Sequence, residues 1–391
     1  MGDNSKTILL LSPQPFDWPV SKRHYALAFC ESGNVVYFLE PPSVGLVFSC
    51  KLQPSREVKN LYIVRVTLPL PKRLRFLLKR RYLGWLYDAV LSRFIRLIVR
   101  ELPRIDVCLS FDNNLFFHDL SQFGSSTVGL MIMDRPNSRA ASEIEARASS
   151  WNAIGAIAPD FLRSLSNVHI EKFLIHHGLS ASFENVARRK LTDIVAFKPS
   201  TNSIRVGLVG NLTHPATDFE NIIRVISTSP NVIFEFWGPD GQEQVLGEAR
   251  ITQYLDFLEN ADNVIRHGKV LPEVIAESVE RIDIWLACYD YQKDLNAGPD
   301  GVPNSHKIME YFATGKIIVS NFFTMYQEVK DLMAMMPSPS NKGFPEHFLS
   351  VVDNLERYNS WELQSKRIEF ALSNTYRRNA AEILERLVLP R

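Results

Sequence analysis

The sequence predicts a two-domain α/β protein in which each domain is a parallel sheet flanked by helices. Three observations predict it. The chain has 391 residues, more than one hydrophobic core usually organises. Short apolar runs alternate with helical patterns from the start. The same alternation restarts midway, after a polar connector. With 46% hydrophobic and 22% charged residues and a formal net charge of +1, the composition is that of an ordinary globular protein, and no global charge points to nucleic acid.

The first half is predicted to hold strands at 8–11, Val35–Leu39, 62–66, 107–111 and 128–133, each short, apolar and bounded by polar turns. Such runs suit buried parallel strands. Between the first two, Tyr25, Ala28 and Phe29 recur at helical spacing within 21–32, and Gly33 ends the helix, which completes a βαβ unit. After a polar connector near 187–202, SIRVGLVG at 203–210 supplies a new first strand. A helix at Phe219–Ser227, strands at 232–238 and 263–268, a helix at 272–280, a strand at 282–288, a helix at 305–314 and a strand at 316–320 follow. The domains are therefore expected at 1–190 and 191–391. The last segment, 360–387, places Leu363, Phe370, Ile383 and Leu387 in a charged helical background with no strand after it. It has to dock on something already folded, and a return to the N-terminal domain is one such destination.

The four cysteines, Cys30, Cys50, Cys108 and Cys288, stand singly, without the paired spacing of a zinc site, so a reducing compartment is expected. ILLLS is too short for a signal-peptide core, and no apolar stretch approaches about 18 residues. A cytoplasmic protein, at most peripheral on the membrane, is the expectation. The one strong local charge bias is 72–104, which holds ten Lys or Arg against Asp88 and Glu101. Leu86, Val90, Phe94 and Leu97 form an apolar stripe there, with Arg93, Arg96 and Arg100 on a separate face. Tyr82, Trp85 and Tyr87 add rings that favour interfaces. The segment suits an anionic membrane surface; a solvated helix packed on the N-terminal sheet is the alternative.

Candidate chemistry begins at Gly207-Leu-Val-Gly210-Asn211, which closes a strand before a helix. Glycine there lets a phosphate approach the backbone, and the helix start adds a favourable dipole. In Ser305-His306-Lys307-Ile308-Met309-Glu310, Lys307 and Glu310 lie three apart and share a helix face. In open α/β sheets ligands bind beyond the carboxyl ends of strands, where this helix would start. Lys307 is then placed to neutralise phosphate and Glu310 to accept ribose hydroxyls, with a surface ion pair as the alternative.

SHKIMEYFATGKIIVSN resembles the donor-binding helix and following strand of GT-B-fold glycosyltransferases, particularly glycosyltransferase family 4 and relatives that build bacterial surface polysaccharides. VGLVGNL, NIIRVI, VIFEFWGP, NVIRHGKV and LPEVIAESVERIDIWLACY follow in the order of that family's C-terminal domain. SPQPFDWPVSKRHYALAFCESGNVVYFLEPP, IAPDFLRSL and FLIHHGL are similar to a teichuronic-acid-biosynthesis-like branch. The resemblance implies two Rossmann-like domains facing a central cleft, with the C-terminal helix docking back. It also implies transfer of a sugar from a nucleotide diphosphate to a saccharide or lipid-linked acceptor, the nucleotide-sugar being a co-substrate and no metal or other cofactor being required. By position, Glu310 would hold the ribose, and Ser305, His306 and Lys307 the diphosphate, with Gly210 and Asn211 on its other side. His267, Gly268 and Val270 would line the base pocket, and Gly238 would border the cleft.

Two positions depart from the family pattern. Family 4 enzymes usually carry a Glu eight residues before the helix Glu, where this chain has Val302, so Asp300 or Asn304 is the expected replacement toward the donor sugar. The loop after Gly210 also offers only His214 where an Arg and a Lys are usual. On the N-terminal side, Asp17, Arg23, His24, Asp134 and Arg135 lie at or just after expected strand ends, as acceptor, phosphate or catalytic groups. If the enzyme inverts, Asp134 is the first choice of base and His24 the second; the resemblance favours retention, which needs no such base. Two other classes stay open: a UDP-sugar 2-epimerase-like enzyme and a non-catalytic sugar-nucleotide-binding subunit.

Overall fold

A computed structural model describes residues 5–18, 20–70, 84–113, 116–117, 119–192, 203–214, 216–239, 249–290 and 305–388. The chain forms two compact units, one made of Met1–Ile175 with Tyr376–Arg391 and the other of His176–Thr375. Asp300 and Asn304, and the basic residues of 72–81, lie outside the described residues.

The first unit is built on a sheet of strands β1 (Thr7–Leu11), β2 (Val35–Leu39), β3 (Ser43–Val44), β4 (Ser49–Pro54), β5 (Leu61–Leu68), β6 (Val107–Ser110), β7 (Thr127–Ile132), β8 (Ala153–Ala156) and β9 (Glu171–Leu174). Their order is β3-β5-β2-β1-β6-β7-β8-β9, with β4 antiparallel on β5 and the other pairs parallel. Strand order reverses between β1 and β6, a topological switch point. Helix α1 (Ser21–Glu31) supplies the first crossover, and α2 (Gly84–Glu101) the one before β6. In α2 the core-facing residues are Tyr87, Leu91, Ile95 and Ile98, all at most 2% exposed. The expected stripe of Leu86, Val90, Phe94 and Leu97 is instead the half-buried flank of that face. Tyr87 is therefore core and not an interfacial ring, because its spacing to Leu91, Ile95 and Ile98 turns it onto the sheet.

Helices α3 (Ser138–Ala146) and α4 (Pro159–Arg163) complete the crossovers of this unit. The second unit opens with α5 (Ala181–Thr192), whose Phe183, Val186 and Ala187 enter that unit's core. The division thus falls at Ile175 and His176, ahead of the expected 190/191, because the helix that leads into the polar connector packs its apolar face, Phe183, Val186 and Ala187, into the second unit's core.

The second sheet joins β10 (Arg205–Val209), β11 (Ile233–Trp237), β12 (Val264–Gly268), β13 (Ile284–Ala287), β14 (Ile317–Ser320) and β15 (Ala334–Met335). Every pair is parallel and the order is β12-β11-β10-β13-β14-β15, with its switch point between β10 and β13. Helices α6 (Phe219–Ser227), α7 (Ala249–Asn260), α8 (Pro272–Ser278), α9 (His306–Ala313) and α10 (Phe344–Asp353) cover the two faces. The segment expected as one C-terminal helical stretch is three elements: α11 (Leu355–Tyr358), α12 (Trp361–Ser373) and α13 (Tyr376–Val388). Helix α12 belongs to the second unit and α13 to the first. There Tyr376 meets Tyr25 edge-on at 5.0 Å, and Leu387 fills space that only a glycine at 129 leaves, a Cβ there falling 2.4 Å from Leu387 Cδ2.

Candidate functional site

In the second unit the carboxyl ends of β10, β11 and β12 are laced together by main-chain bonds. Gly210 N–H donates to Trp237 O at 2.9 Å, Gly238 N–H to Gly268 O at 2.8 Å and Leu212 N–H to Pro239 O at 3.0 Å. Gly238 has φ +143°, and a Cβ there would lie 1.7 Å from Gly210 O, so this approach is open only to glycine. Above Gly210 a Cβ would meet nothing within 4 Å, which leaves the strand-end backbone accessible. Asn211 accepts from Thr213 N–H at 3.1 Å and closes the turn, while Asp218 caps α6 by accepting from Asn221 N–H at 3.2 Å. A cleft of about 610 Å³ beside these ends is lined by Leu212, Gly238, Arg266, His267 and Gly268, among others. The structure therefore brings Gly210, Gly238, His267 and Gly268 together; Val270 is half-buried and packs against the second unit's core.

Helix α9 is fixed to this edge by a residue that sequence reasoning passed over. Val209 N–H donates to the Tyr311 hydroxyl at 2.8 Å, and Tyr311 stacks on Trp285 at 4.5 Å. Trp285 in turn donates its indole N–H to Thr314 Oγ1 at 2.8 Å and lies where a Cβ at Gly207 would be 2.4 Å from the ring. The signal was present as an aromatic within the helix motif and a glycine on the facing strand, but a pairing between residues a hundred apart is not a local pattern. Ser305 opens α9 in extended conformation and makes no side-chain cap, so its hydroxyl does not occupy the helix N-terminus, an anion-binding position. Lys307 Nζ stands 3.0 Å from Glu310 Oε2, both side chains largely buried. His306 is exposed, its ring 6.0 Å from that of His177.

His267 is held from beneath. Its ring stacks on Trp237 at 4.7 Å and its Nε2 is 2.8 Å from Glu235 Oε2. Glu235, 1% exposed, also receives Arg205 and Arg281, each at 2.7 Å. Burial alone would push this carboxyl up, but hydrogen bonds from Arg281, His267 and Arg205 outweigh it and hold Glu235 below its ordinary range. An ionised Glu235 accepts only, so His267 donates through Nε2–H and its neutral form keeps Nδ1 as an acceptor.

In the first unit a cavity of about 250 Å³ lies at the switch point, lined by Leu11, Ser12, Pro13, Glu40, Asp112 and Phe116, among others. Glu40 is oriented by Arg65 at 2.8 Å and by Phe16 N–H at 3.0 Å. Neither Glu40 nor Asp112 was singled out from sequence, since isolated acidic residues after a strand carry no distinguishing pattern. Asp134 is exposed at the end of β7, with Lys22 Nζ 3.9 Å away. Burial pushes the Lys22 ammonium down, opposed by Asp134. Asn137, not Asp134, caps α3, accepting from Ala140 N–H at 2.9 Å. Asn113 donates to Asp134 O at 2.8 Å and Arg135 is half-buried beside it. Arg23 pairs with Glu57 at 3.1 Å and lies over Phe16, and Asp17 is exposed in the turn after β1. His24 stacks on Tyr376 of α13 at 4.8 Å.

No family model and no curated protein matches the sequence. Solved structures do match along nearly the whole chain. Sucrose-phosphate synthase from Thermosynechococcus elongatus superposes with a TM-score of 0.67 at 11% identity, over 97% of this chain and 98% of that one. An alpha,alpha-trehalose-phosphate synthase (UDP-forming) from Burkholderia vietnamiensis gives 0.66 at 12% identity, over 97% and 96%. Anabaena HepE in complex with UDP and glucose gives 0.62 at 12% identity, over 97% and 99%. The fold is therefore GT-B, the two-Rossmann architecture of these glycosyltransferases.

Proposed function

We propose that the protein is a glycosyltransferase that uses a nucleotide diphosphate sugar and passes the sugar to a saccharide or lipid-linked acceptor. The observation that carries this reading is the placement of Lys307 and Glu310 on a helix bolted by Tyr311 to the strand whose end is Gly210. Lys307 with the α9 N-terminus offsets the charge that builds on a leaving diphosphate. Glu310 accepts from the ribose hydroxyls, and Gly210 admits the phosphates to the backbone. Nδ1 of His267 faces the base, and Ser305 and His306 flank the diphosphate. A complex of a similar fold with UDP and glucose supports the same class of donor.

The cavity beside Ser12, Glu40 and Asp112 is read as the acceptor subsite of the first unit, its carboxylates suited to sugar hydroxyls and its prolines and Phe116 to sugar ring faces. Retention of configuration accords with the family 4 resemblance; if the enzyme inverts, Asp134 is the base. The nucleotide-sugar is a co-substrate and no cofactor is invoked. The surface-polysaccharide role and a cytoplasmic-face location belong to the same reading. The test is titration of nucleoside diphosphates into the wild type and Glu310→Gln, together with release of free nucleotide from a panel of nucleotide sugars. Glu310→Gln is expected to weaken binding by about 1–3 kcal/mol, the scale of hydrogen bonds to a charged group. Unchanged affinity in the folded variant sinks the site assignment, and a converted sugar without acceptor favours an epimerase.

A further inference from the structure

After Pro41 and Pro42 the chain leaves the first unit's cavity and ends β3 in an exposed apolar tip. Val44 is 46% exposed, Leu46 98% and Val47 73%, a contiguous patch and not a scattered surface residue. The backbone holds it outward. Ser43 Oγ donates to Val66 O at 3.3 Å and Gly45 N–H to Leu68 O at 3.1 Å. A Cβ at Gly45 would fall 2.3 Å from Thr67 Cγ2, so the turn is pressed against β5. The next residue, Phe48, stacks on Phe94 of α2 at 5.9 Å, which ties the tip to that helix. On the solvent side of α2, Arg93, Arg96 and Arg100 are all exposed and share one face at helical spacing, and Lys51 is exposed on β4. The acids of α2 itself are Asp88, which is paired with Arg147 at 3.4 Å, and Glu101.

We propose that residues 44–47 and the arginine face of α2 form a docking surface for an anionic lipid bilayer. Aliphatic side chains on a fixed turn enter the acyl boundary while the flanking cations meet headgroup phosphates, the two attractions by which peripheral proteins bind anionic bilayers. Among the described residues no helix is long and apolar enough to cross a membrane, so contact through this surface is interfacial. From Pro42 to Leu46 the chain advances four residues, at most about 14 Å. Resting on the lipid-linked acceptor reading, this keeps an acceptor head group within reach of the cavity while its lipid stays in the bilayer.

The experiment is co-sedimentation of the full chain with vesicles of phosphatidylcholine alone or with phosphatidylglycerol at one part in three, at low and high salt. Binding to the anionic vesicles is expected, falling steeply with salt. Leu46→Asp with Val47→Asp is expected to lower it at least tenfold, and so is Arg93→Glu with Arg96→Glu and Arg100→Glu. Thermal unfolding and nucleotide affinity, read on the same variants, stay at wild-type values, so failure here is distinct from failure of the donor-site reading. The proposal is overturned if anionic vesicles do not sediment the folded wild type, or if both variants bind as the wild type does. It is equally overturned if the tip variant only turns a dimer into a monomer, which would make the patch a contact between copies.

Discussion

Gly210 and Gly238 face each other across one strand end, and alanine at each should fail in opposite ways. At position 238 the new Cβ would stand 1.7 Å from Gly210 O, where ordinary contact begins near 3.4 Å, on a backbone with φ +143°. The two loops have to part by roughly the difference, which breaks the Gly210–Trp237 and Leu212–Pro239 main-chain bonds. Strain of this kind costs about 1–3 kcal/mol, so Gly238→Ala should lower the denaturation midpoint and bind nucleotide poorly. At position 210 the Cβ meets nothing within 4 Å, so the free protein should be as stable as the wild type. On the proposed function, the added methyl would instead occupy the space through which a phosphate approaches the backbone. Losing one hydrogen bond to a charged group costs about 1.5–3 kcal/mol, or about 10- to 150-fold in affinity. Calorimetric titration of uridine and adenosine diphosphates, paired with urea denaturation, reads both quantities. If Gly210→Ala keeps wild-type affinity for every nucleoside diphosphate the wild type binds, the diphosphate does not cross this strand end and the reasoning fails.

Leu387→Ala should destabilise the first unit by about 2–5 kcal/mol, since its side chain is 2% exposed and fills the gap over Gly129; a loss under about 1 kcal/mol by denaturation followed at Trp151 would mean α13 is not docked there. Glu235→Gln should cost about 3 kcal/mol at neutral pH by leaving Arg205 and Arg281 without a buried counter-charge. Because the folded carboxyl titrates below its ordinary 4.5, its contribution is present above that value and lost as pH falls through the folded one. The variant should therefore show a flatter stability profile than the wild type below about pH 5, and parallel acid limbs would count against the ion cluster.

Many of the parallel strands were legible as short apolar runs fenced by turns, and β1, β2, β10, β11 and β14 fall where that pattern lies, whereas β3, β8, β9 and β15 were not among the expected strands. β4, with the sequence SCKLQP, was not, because it is an edge strand whose pairing with β5 is set by tertiary contact and not by hydrophobicity. The stripe on α2 was misassigned by one helical position, as both Leu86-Val90-Phe94-Leu97 and Tyr87-Leu91-Ile95-Ile98 repeat at helical spacing and only the sheet decides between them. Lys307, Glu310 and the strand-end glycines were visible because each sits in a local motif. What supports them was not: Tyr311 reaching Val209, Glu235 beneath His267, and Lys22 beside Asp134 join distant segments, and a single sequence carries no record of such pairs.

The return of α13 to the first unit has a bearing on how the chain is assembled. The second unit is one continuous stretch, His176–Thr375, and all its strands can pair as soon as that stretch is synthesised. The first unit has its strands early but lacks the helix that closes over Gly129 until every residue of the second has been made. Domains generally fold as units in order of synthesis, yet here the earlier unit is completed last, by a contact between residues 129 and 387 whose sequence separation makes it slow to form. Until then, the face that will receive Leu387 and Tyr376 is open apolar surface on a nascent chain. A chaperone would find its client there, and a polar substitution on α13 would reduce yield of folded protein well before it altered any property of the finished protein.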